Sequence, residues 1–369
     1  MQFTITKDEF LRGLSRTQSV IEKKTTLPIL SNVLIEAAGA AVTLVATDLE
    51  VGVRGMCEAE VGKEGSITVQ AKKLYEICRE LDSDVISFKA MPNDWVEISG
   101  GNFSSKIVGL SAEDYPVLPS TEGAMEFTIN GQILAEMIDK TQFAISTNET
   151  RYYLNGVFFV TVNGNLRMVA TDGHRMALCE KELPAGIDAT IDPGIIIPKK
   201  GVMELRKLLA EGEGDVVFGV KERNIFVRQG GTELIVRLID GDYPDYEQVV
   251  PKKNDKIVTI SRDKLFSALR RVSIMATELD KGVKVSLGRG SLEISCKNPN
   301  LGEAVEQVQA NYEGAEMEIG FNARYILDSL GVLNDEDVIL EMADGLSPCT
   351  IKTPSDQGYL SVVMPMRLE

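Results

Sequence analysis

The sequence predicts an α+β chain of three tandem repeated domains, each with two helices packed on antiparallel sheets. Three observations carry this. The 369 residues are too many for one ordinary core. A long internal repeat runs through them. Within each copy, short alternating strands are interleaved with amphipathic helices, the pattern of an α+β layer.

The repeat is visible in identities. Phe3-Thr4-Ile5 recurs as Phe127-Thr128-Ile129, and Thr17-Gln18 as Thr141-Gln142. Leu30 recurs as Leu154, and Val45-Ala46-Thr47-Asp48 as Val169-Ala170-Thr171-Asp172. All share one offset of 124 residues without a gap, which convergent strand composition does not produce. A fainter third copy places Thr259-Ile260 and Leu265 at an offset of 131 from Thr128-Ile129 and Leu134. Gly282-Val283 then follows Gly156-Val157 at 126, so a loop there is shorter by five residues. A period near 123 residues is far longer than a solenoid unit, so each copy is a domain. The expected bounds are 1–121, 126–250 and 256–369.

Each copy reads as two similar halves. In copy one the first half is a strand Gln2–Thr6, a helix Asp8–Ile21, then strands Ile29–Glu36 and Ala41–Asp48. The second half is Ser66–Val69, a helix Lys72–Leu81, then strands Val85–Lys89, Trp95–Ser99 and Ser104–Gly109. Along that helix Leu74, Ile77, Cys78 and Leu81 share one face. The equivalent helices are Lys199–Leu209, with Val202, Leu205, Leu208 and Leu209 inward, and Asn322–Leu333, with Tyr325, Ile326, Ser329, Leu330 and Leu333. Asp114-Tyr115-Pro116 and Asp242-Tyr243-Pro244 close copies one and two and suit linkers.

The net charge is −16, which by itself disfavours a nucleic-acid partner. Charge is segregated, however, and screening makes local charge the relevant quantity. Lys72–Arg79 carries +2, Lys199–Lys207 +3, Lys264–Arg271 +3 and Lys7–Arg16 +1, leaving −25 for the rest of the chain. That is a basic helical surface on an acidic body. There is no zinc-finger spacing, basic zipper or aromatic RNA-binding motif, so any nucleic-acid contacts should be to phosphates and independent of sequence.

Chemistry is thinly represented. The chain has no phosphate-binding glycine loop, nucleophile elbow or HExxH motif. The five cysteines (57, 78, 179, 296 and 349) are scattered without a CxxC pair, so no zinc site is expected and a reducing cytoplasm is. No cofactor or metal ligand set is expected. No run of 18 apolar residues suggests a membrane span, and MQFTITKDEF does not read as a secretory signal. His174 is the sole histidine, and with Asp172 it invites a hydrolase reading. Copy one keeps Asp48 but puts Glu50 at the histidine's place, so the aspartate belongs to the repeat scaffold and Asp-Gly reads as a turn. A repeat scaffold that never touches DNA is the other alternative. The last segment, Tyr359 to Leu368, is apolar and rich in adaptable methionine, so it must be docked or form a binding surface.

Several long strings in order point to one family. They are Leu27-Pro28-Ile29-Leu30, Ala46-Thr47-Asp48-Leu49-Glu50, Arg151-Tyr152-Tyr153-Leu154-Asn155-Gly156 and Ala170-Thr171-Asp172-Gly173-His174-Arg175. Tyr243-Pro244-Asp245-Tyr246, Gly314 through Asn322, and Val363-Met364-Pro365-Met366-Arg367-Leu368 complete the set. From end to end the chain resembles the bacterial DNA polymerase III beta subunit family, the sliding clamps.

The resemblance implies a non-catalytic processivity factor, a head-to-tail homodimer that forms a ring around double-stranded DNA with its helices lining the hole. It implies DNA contacts at Lys24, Lys72, Lys73, Arg151, Tyr152, Tyr153, Lys199 and Lys200. It also implies a pocket that takes short peptides from DNA polymerase subunits, the clamp loader and other clamp-motif proteins. By position its walls are Leu154, Thr171, Gly173, His174, Arg175, Met176, Pro244, Val249, Leu346, Val362, Met364, Pro365, Met366 and Leu368. Tyr153, Asn322 and Tyr325 form a neighbouring subsite. The chain departs from the family's usual pattern at Gln248, Met176 and Pro348, where arginine, leucine and serine are usual. For the dimer seam, Ile107 is expected to meet Ile274 and Met275 of the partner copy.

Overall fold

The strand Gln2–Thr6 runs without a break into helix α1, Lys7–Val20. Phe10, Gly13, Leu14, Thr17 and Val20 are its buried residues, a helical spacing that fixes one face on the core. Asp8 and Glu9 in its first turn complement the positive end of the helix dipole. The same strand-to-helix step recurs with α2 (Ala71–Glu80), α3 (Gly131–Asp139), α4 (Lys199–Glu211), α5 (Arg262–Val272) and α6 (Ala323–Gly331). The basic helices were thus legible to within a few residues. Ile77 is only half-buried, at the edge of the face formed by Ala71, Leu74 and Cys78.

A computed structural model describes residues 1–21, 27–183, 190–277 and 281–367. They form two compact units. Met1–Gln132 and Lys200–Leu238 belong to the first, and Ile133–Ala185, Thr190–Lys199 and Ile239–Glu369 to the second. In the first, Phe3 stacks on Phe88 at 4.8 Å and Phe10 meets Phe3 edge-on at 5.9 Å. This aromatic centre locks α1 onto the sheet, and truncating a buried phenylalanine of this kind costs about 3–5 kcal/mol. In the second unit α5 and α6 pack together over a core that includes Leu265, Leu269, Ile294, Phe321 and Leu330.

The sheet of the first unit has thirteen strands and that of the second twelve, all paired antiparallel. Strand pairing, not the repeat, sets the limits of these sheets. Thr232–Arg237 of copy two lies beside Val51–Glu58 of copy one, with Thr232 opposite Gly55 and Val236 opposite Val51. Tyr359–Val363 of copy three lies beside Arg175–Glu182 of copy two, with Tyr359 opposite Cys179 and Val363 opposite Arg175. Gly55 and Cys179 are equivalent in the repeat, so the two junctions share one register.

Two further strands hold the equivalent positions. Phe103–Leu110 pairs with Trp95–Gly100 on one side and meets Gly65–Gln70 only at Gly109 and Leu110. A side chain at Gly109 would strike the carbonyl oxygens of Thr68 and Asp94 at 2.7 and 2.8 Å, which is why glycine stands where this strand changes neighbours. Gly302–Asn311 pairs with Ser291–Asn298 and meets Lys256–Ser261 only at Ala310 and Asn311. Among the described residues, Phe103–Val108 and Gly302–Gln309 are therefore open edges.

Charged side chains fasten each junction. Arg16 reaches Glu211 at 2.5 Å and Thr232 Oγ1 at 2.6 Å. In the second unit Lys140 bonds Glu136 at 2.5 Å and Asp356 at 2.6 Å and lies 5.7 Å above the Tyr359 ring.

Three expectations need correction. The strand at Ile29–Glu36 begins only at Asn32, because Pro28 starts a 3₁₀ turn through Ser31 and has no N–H to give a ladder. Strands Val51–Glu58 and Glu60–Lys63 were missed, since Gly52, Gly55 and Gly62 dilute the alternating apolar signal. The two Tyr-Pro segments are not plain linkers. Tyr115 is buried with its hydroxyl donating to Asn32 O, and Tyr243 stacks on Phe158 at 4.8 Å.

Candidate functional site

The Thr-Asp repeat is a turn device. Asp172 Oδ1 accepts from the backbone N–H groups of His174 and Arg175, and Thr171 Oγ1 donates to Arg175 O. Copy one repeats this: Asp48 Oδ1 accepts from Glu50 and Val51, and Thr47 Oγ1 donates to Val51 O. Both oxygens of Asp172 are committed, since Oδ2 accepts from Arg175 Nε at 3.1 Å. That arrangement orients a loop and an arginine, not an imidazole for catalysis. Gly173 sits at φ +88°, and a side chain there would also meet Arg151 Nη1 at 2.9 Å.

Arg175 is the hub beyond the turn. Its guanidinium donates to Asp328 Oδ2 at 2.6 Å and Phe143 O at 2.7 Å and lies 4.7 Å above the Tyr325 ring. The His174 ring stacks on Tyr325 with their centroids 6.3 Å apart. Burial, followed by the Asp172 charge, pushes the Tyr325 phenol above its usual range.

The C-terminal segment is docked as its composition required. Tyr359–Val363 completes the sheet, then Met364 N donates to His174 O and Met366 N to Gly320 O, each at 2.9 Å. Met176, Val169 and Val362 form a buried floor with Phe158, Leu178, Tyr243, Tyr246, Val250 and Leu360 packed against it. Above it stand apolar groups left in solvent: Met364 is 37% exposed, Val249 42% and Leu346 74%. Pro244 is exposed, Pro365, Met366, Asn322 and Tyr325 are half-buried, and Leu154 is buried. Leu368 and Lys24 lie outside the described residues.

Two clefts flank these walls. One of about 600 Å³ is polar and is lined by Asn148, Asp172, His174, Lys199, Arg324 and Tyr325, among others. The other, of about 620 Å³, runs along Leu178, Leu360, Tyr246, Gln248 and Arg167. Sequence reading missed Phe143, Arg167 and Asp328. Arg167 binds Glu180, Glu247 and the Tyr246 hydroxyl, and nothing in its strand pattern marked it. Gln248, one of the departing positions, turns to Asp245 at 2.8 Å. Pro348 is half-buried, and its carbonyl accepts from Asn254.

The residues expected to face DNA fall into three groups. Lys72 and Lys73 stand exposed on α2, leaning toward Glu76 at 3.8 and 2.8 Å. Lys200 pairs with Asp48, while Lys199 is exposed at the polar cleft. Arg151 and Tyr152 are exposed, and Tyr153 half-buried, in the turn Glu149–Leu154. Of the seam residues, Ile107 and Met275 are half-buried and Ile274 is 70% exposed. Among the described residues no group of His, Cys, Asp and Glu could hold a metal ion. No helix there is long and apolar enough to cross a membrane.

Comparison with known proteins covers the whole chain. Three family models match: DNA polymerase III beta subunit N-terminal domain over residues 1–119, central domain over 128–245 and C-terminal domain over 247–367. The beta sliding clamp of Pseudomonas aeruginosa is 38% identical over 369 residues, with all of both chains covered. That of Caulobacter vibrioides is 38% identical over 374 residues, again with both chains covered. A crystal structure of the sliding clamp from Bartonella birtlesii bound to griselimycin superposes with a TM-score of 0.95 at 38% identity over 100% of each chain.

Proposed function

The chain belongs to the DNA polymerase III beta subunit family, and from that premise we propose how its own residues close a ring, face DNA and dock partners. It is a non-catalytic processivity factor, a sliding clamp for DNA polymerases, with three domains at 1–121, 126–250 and 256–369. It works in the cytoplasm.

The observation that carries the ring is the junction used twice. Copy two joins copy one, and copy three joins copy two, through the same strands in the same register. The two strands left over, one in each unit, are the two halves of a third such junction. A second copy placed head to tail satisfies both, a heterologous contact that closes. Carrying the register over sets Lys106 opposite the partner's Glu303, Ser104 opposite its Val305 and Ile107 opposite its Gly302. Opposite charges at Lys106 and Glu303 favour that pairing. Ile107 then faces the helical side, toward the partner's Ile274 and Met275.

DNA is held by phosphate contacts from Lys24, Lys72, Lys73, Arg151, Tyr152, Tyr153, Lys199 and Lys200, without base readout. Such contacts are weak and exchange readily, so the ring slides while its topology retains it. The acidic remainder of the chain repels DNA elsewhere. The exposed apolar groups around Met176 and Val362, with Leu154, Pro244, Val249, Leu346, Met364 and Met366, accept one short apolar peptide. Polymerase subunits and the clamp loader present it.

The direct test uses circular DNA. Protein loaded onto a nicked circle should stay through gel filtration and leave once the circle is cut. Retention on the linear product, or failure to load at all, would sink the reading.

A further inference from the structure

Arg16, Lys140 and Arg271 occupy one position in the three copies, in or just after the C-terminal half of the first helix. Two of them touch the neighbouring copy at one place. Arg16 Nη1 donates to Thr232 Oγ1 at 2.6 Å, and Lys140 Nζ lies 5.7 Å above the Tyr359 ring. Thr232 and Tyr359 are equivalent, because they sit opposite Gly55 and Cys179, themselves equivalent.

The third member of that set is Phe103. It closes a two-residue hairpin with Gly100 as Thr232 does with Gln229, and each begins the strand that makes the junction. Phe103 is 49% exposed on the open edge. Arg271 is just as open: with a side chain 60% exposed, it bends back to Glu306, the counterpart of Gly55 and Cys179. It borders a cleft of about 450 Å³ that runs from α5 to the open edge of Gly302–Asn311.

We propose that Arg271 stacks on the partner's Phe103 across the dimer seam, the place held inside the chain by Arg16 with Thr232 and Lys140 with Tyr359. The proposal rests on the head-to-tail reading and adds a defined contact to it. The occupant of the cleft is a second copy of this chain. The carboxylate of Glu306 sits beside the ring edge and keeps the guanidinium flat against its face. An arginine over an aromatic ring gains most once water is excluded, which closure of the seam provides. Arg271 is then a seam residue, although it lies on one of the basic helices.

The test is a mutant cycle on the dimer dissociation constant, read by sedimentation velocity. Arg271→Ala and Phe103→Ala should each weaken the dimer about tenfold. The double variant should be little worse than either, because each single already abolishes the same interaction. Phe103→Leu keeps the apolar bulk without the ring and should resemble Phe103→Ala. Both side chains are exposed in the single chain, so unfolding of the monomer, followed at concentrations below the dimer dissociation constant, should be unchanged. Single effects that multiply in the double variant, or an Arg271→Ala dimer as tight as wild type, overturn the contact while the dimer stands. A wild-type chain that stays monomeric at micromolar concentration overturns both.

Discussion

Arg175 Nη1 lies 2.6 Å from Asp328 Oδ2, joining the turn of one repeat to helix α6 of the next. The junction of copies one and two also has an acid at that helical position, for Glu204 of α4 accepts from Ser19 Oγ. One scaffold therefore serves both places, but only the later one has an arginine at the head of the strand. There the guanidinium also bears on Tyr325, and the His174 ring stacks on the same phenol. A device that fastens two repeats thereby also holds Tyr325 and His174 against each other.

Asp328→Ala should therefore weaken both stability and peptide docking. Breaking a buried ion pair from one side costs about 3–5 kcal/mol. Asp328 is a third exposed and Arg175 keeps Asp172, so a loss of about 1–2 kcal/mol is expected. Denaturant unfolding measures the first effect and fluorescence anisotropy of a leucine-rich peptide the second. Unchanged peptide affinity in a destabilised variant would separate the clamp on Arg175 from the shape of the pocket.

Lys72→Glu combined with Lys73→Glu should weaken DNA association without altering the fold, as both side chains are largely exposed. The expected mark is a shallower dependence of log K on log salt, by roughly one unit for each phosphate no longer neutralised. Filter binding across a salt series would show it. An unchanged slope would mean that these lysines do not meet phosphate.

How much of this was legible depends on what the signal was made of. The helices Lys72–Leu81, Lys199–Leu209 and Asn322–Leu333 were readable because each has an apolar face at 3.6-residue spacing, as with Leu205, Leu208 and Leu209 on α4. The turn at Asp172 was readable because copy one repeats it without the histidine. The strand Val51–Glu58 was not, because glycines interrupt it, although it makes the first junction. Asp328 and Phe143 carry no local mark, since their importance comes from a residue 153 positions away in one case and 32 in the other. The pocket walls came from family resemblance, since exposed Leu346 and Val249 look like any surface residue.

Acid should loosen the second junction in a defined way. Burial works to raise the carboxyls of Asp356 and Glu136, yet hydrogen bonds from Lys140 and Lys181 outweigh it and hold both below their ordinary values. Their contribution is present above the unfolded carboxylate range near 4 and is lost as pH falls through the lowered folded values. The lysines, raised by the same bonds against burial, lose theirs only as pH rises past about 10.4 toward their folded values. Lys140→Met should flatten the acid limb of an unfolding midpoint measured against pH. An acid limb of unchanged steepness would place that sensitivity elsewhere.

The register at the seam can be tested by charge reversal. Within the chain, Ile235 faces Gly52 and Val362 faces Met176, and the equivalent pair between chains is Lys106 with the partner's Glu303. Both side chains are exposed in the single chain, so neither change should disturb folding. Lys106→Glu or Glu303→Lys alone sets like charges opposite each other, a cost of about 0.2–1 kcal/mol per pair. A head-to-tail ring has two such seams, so the loss is felt twice in the dimer constant. Combining the two reversals restores opposite charges and should recover most of the affinity. A pairing shifted by one residue would bring Lys106 against Gly302 or Ala304, and the double variant would then show no rescue. Sedimentation equilibrium on the four proteins distinguishes these outcomes.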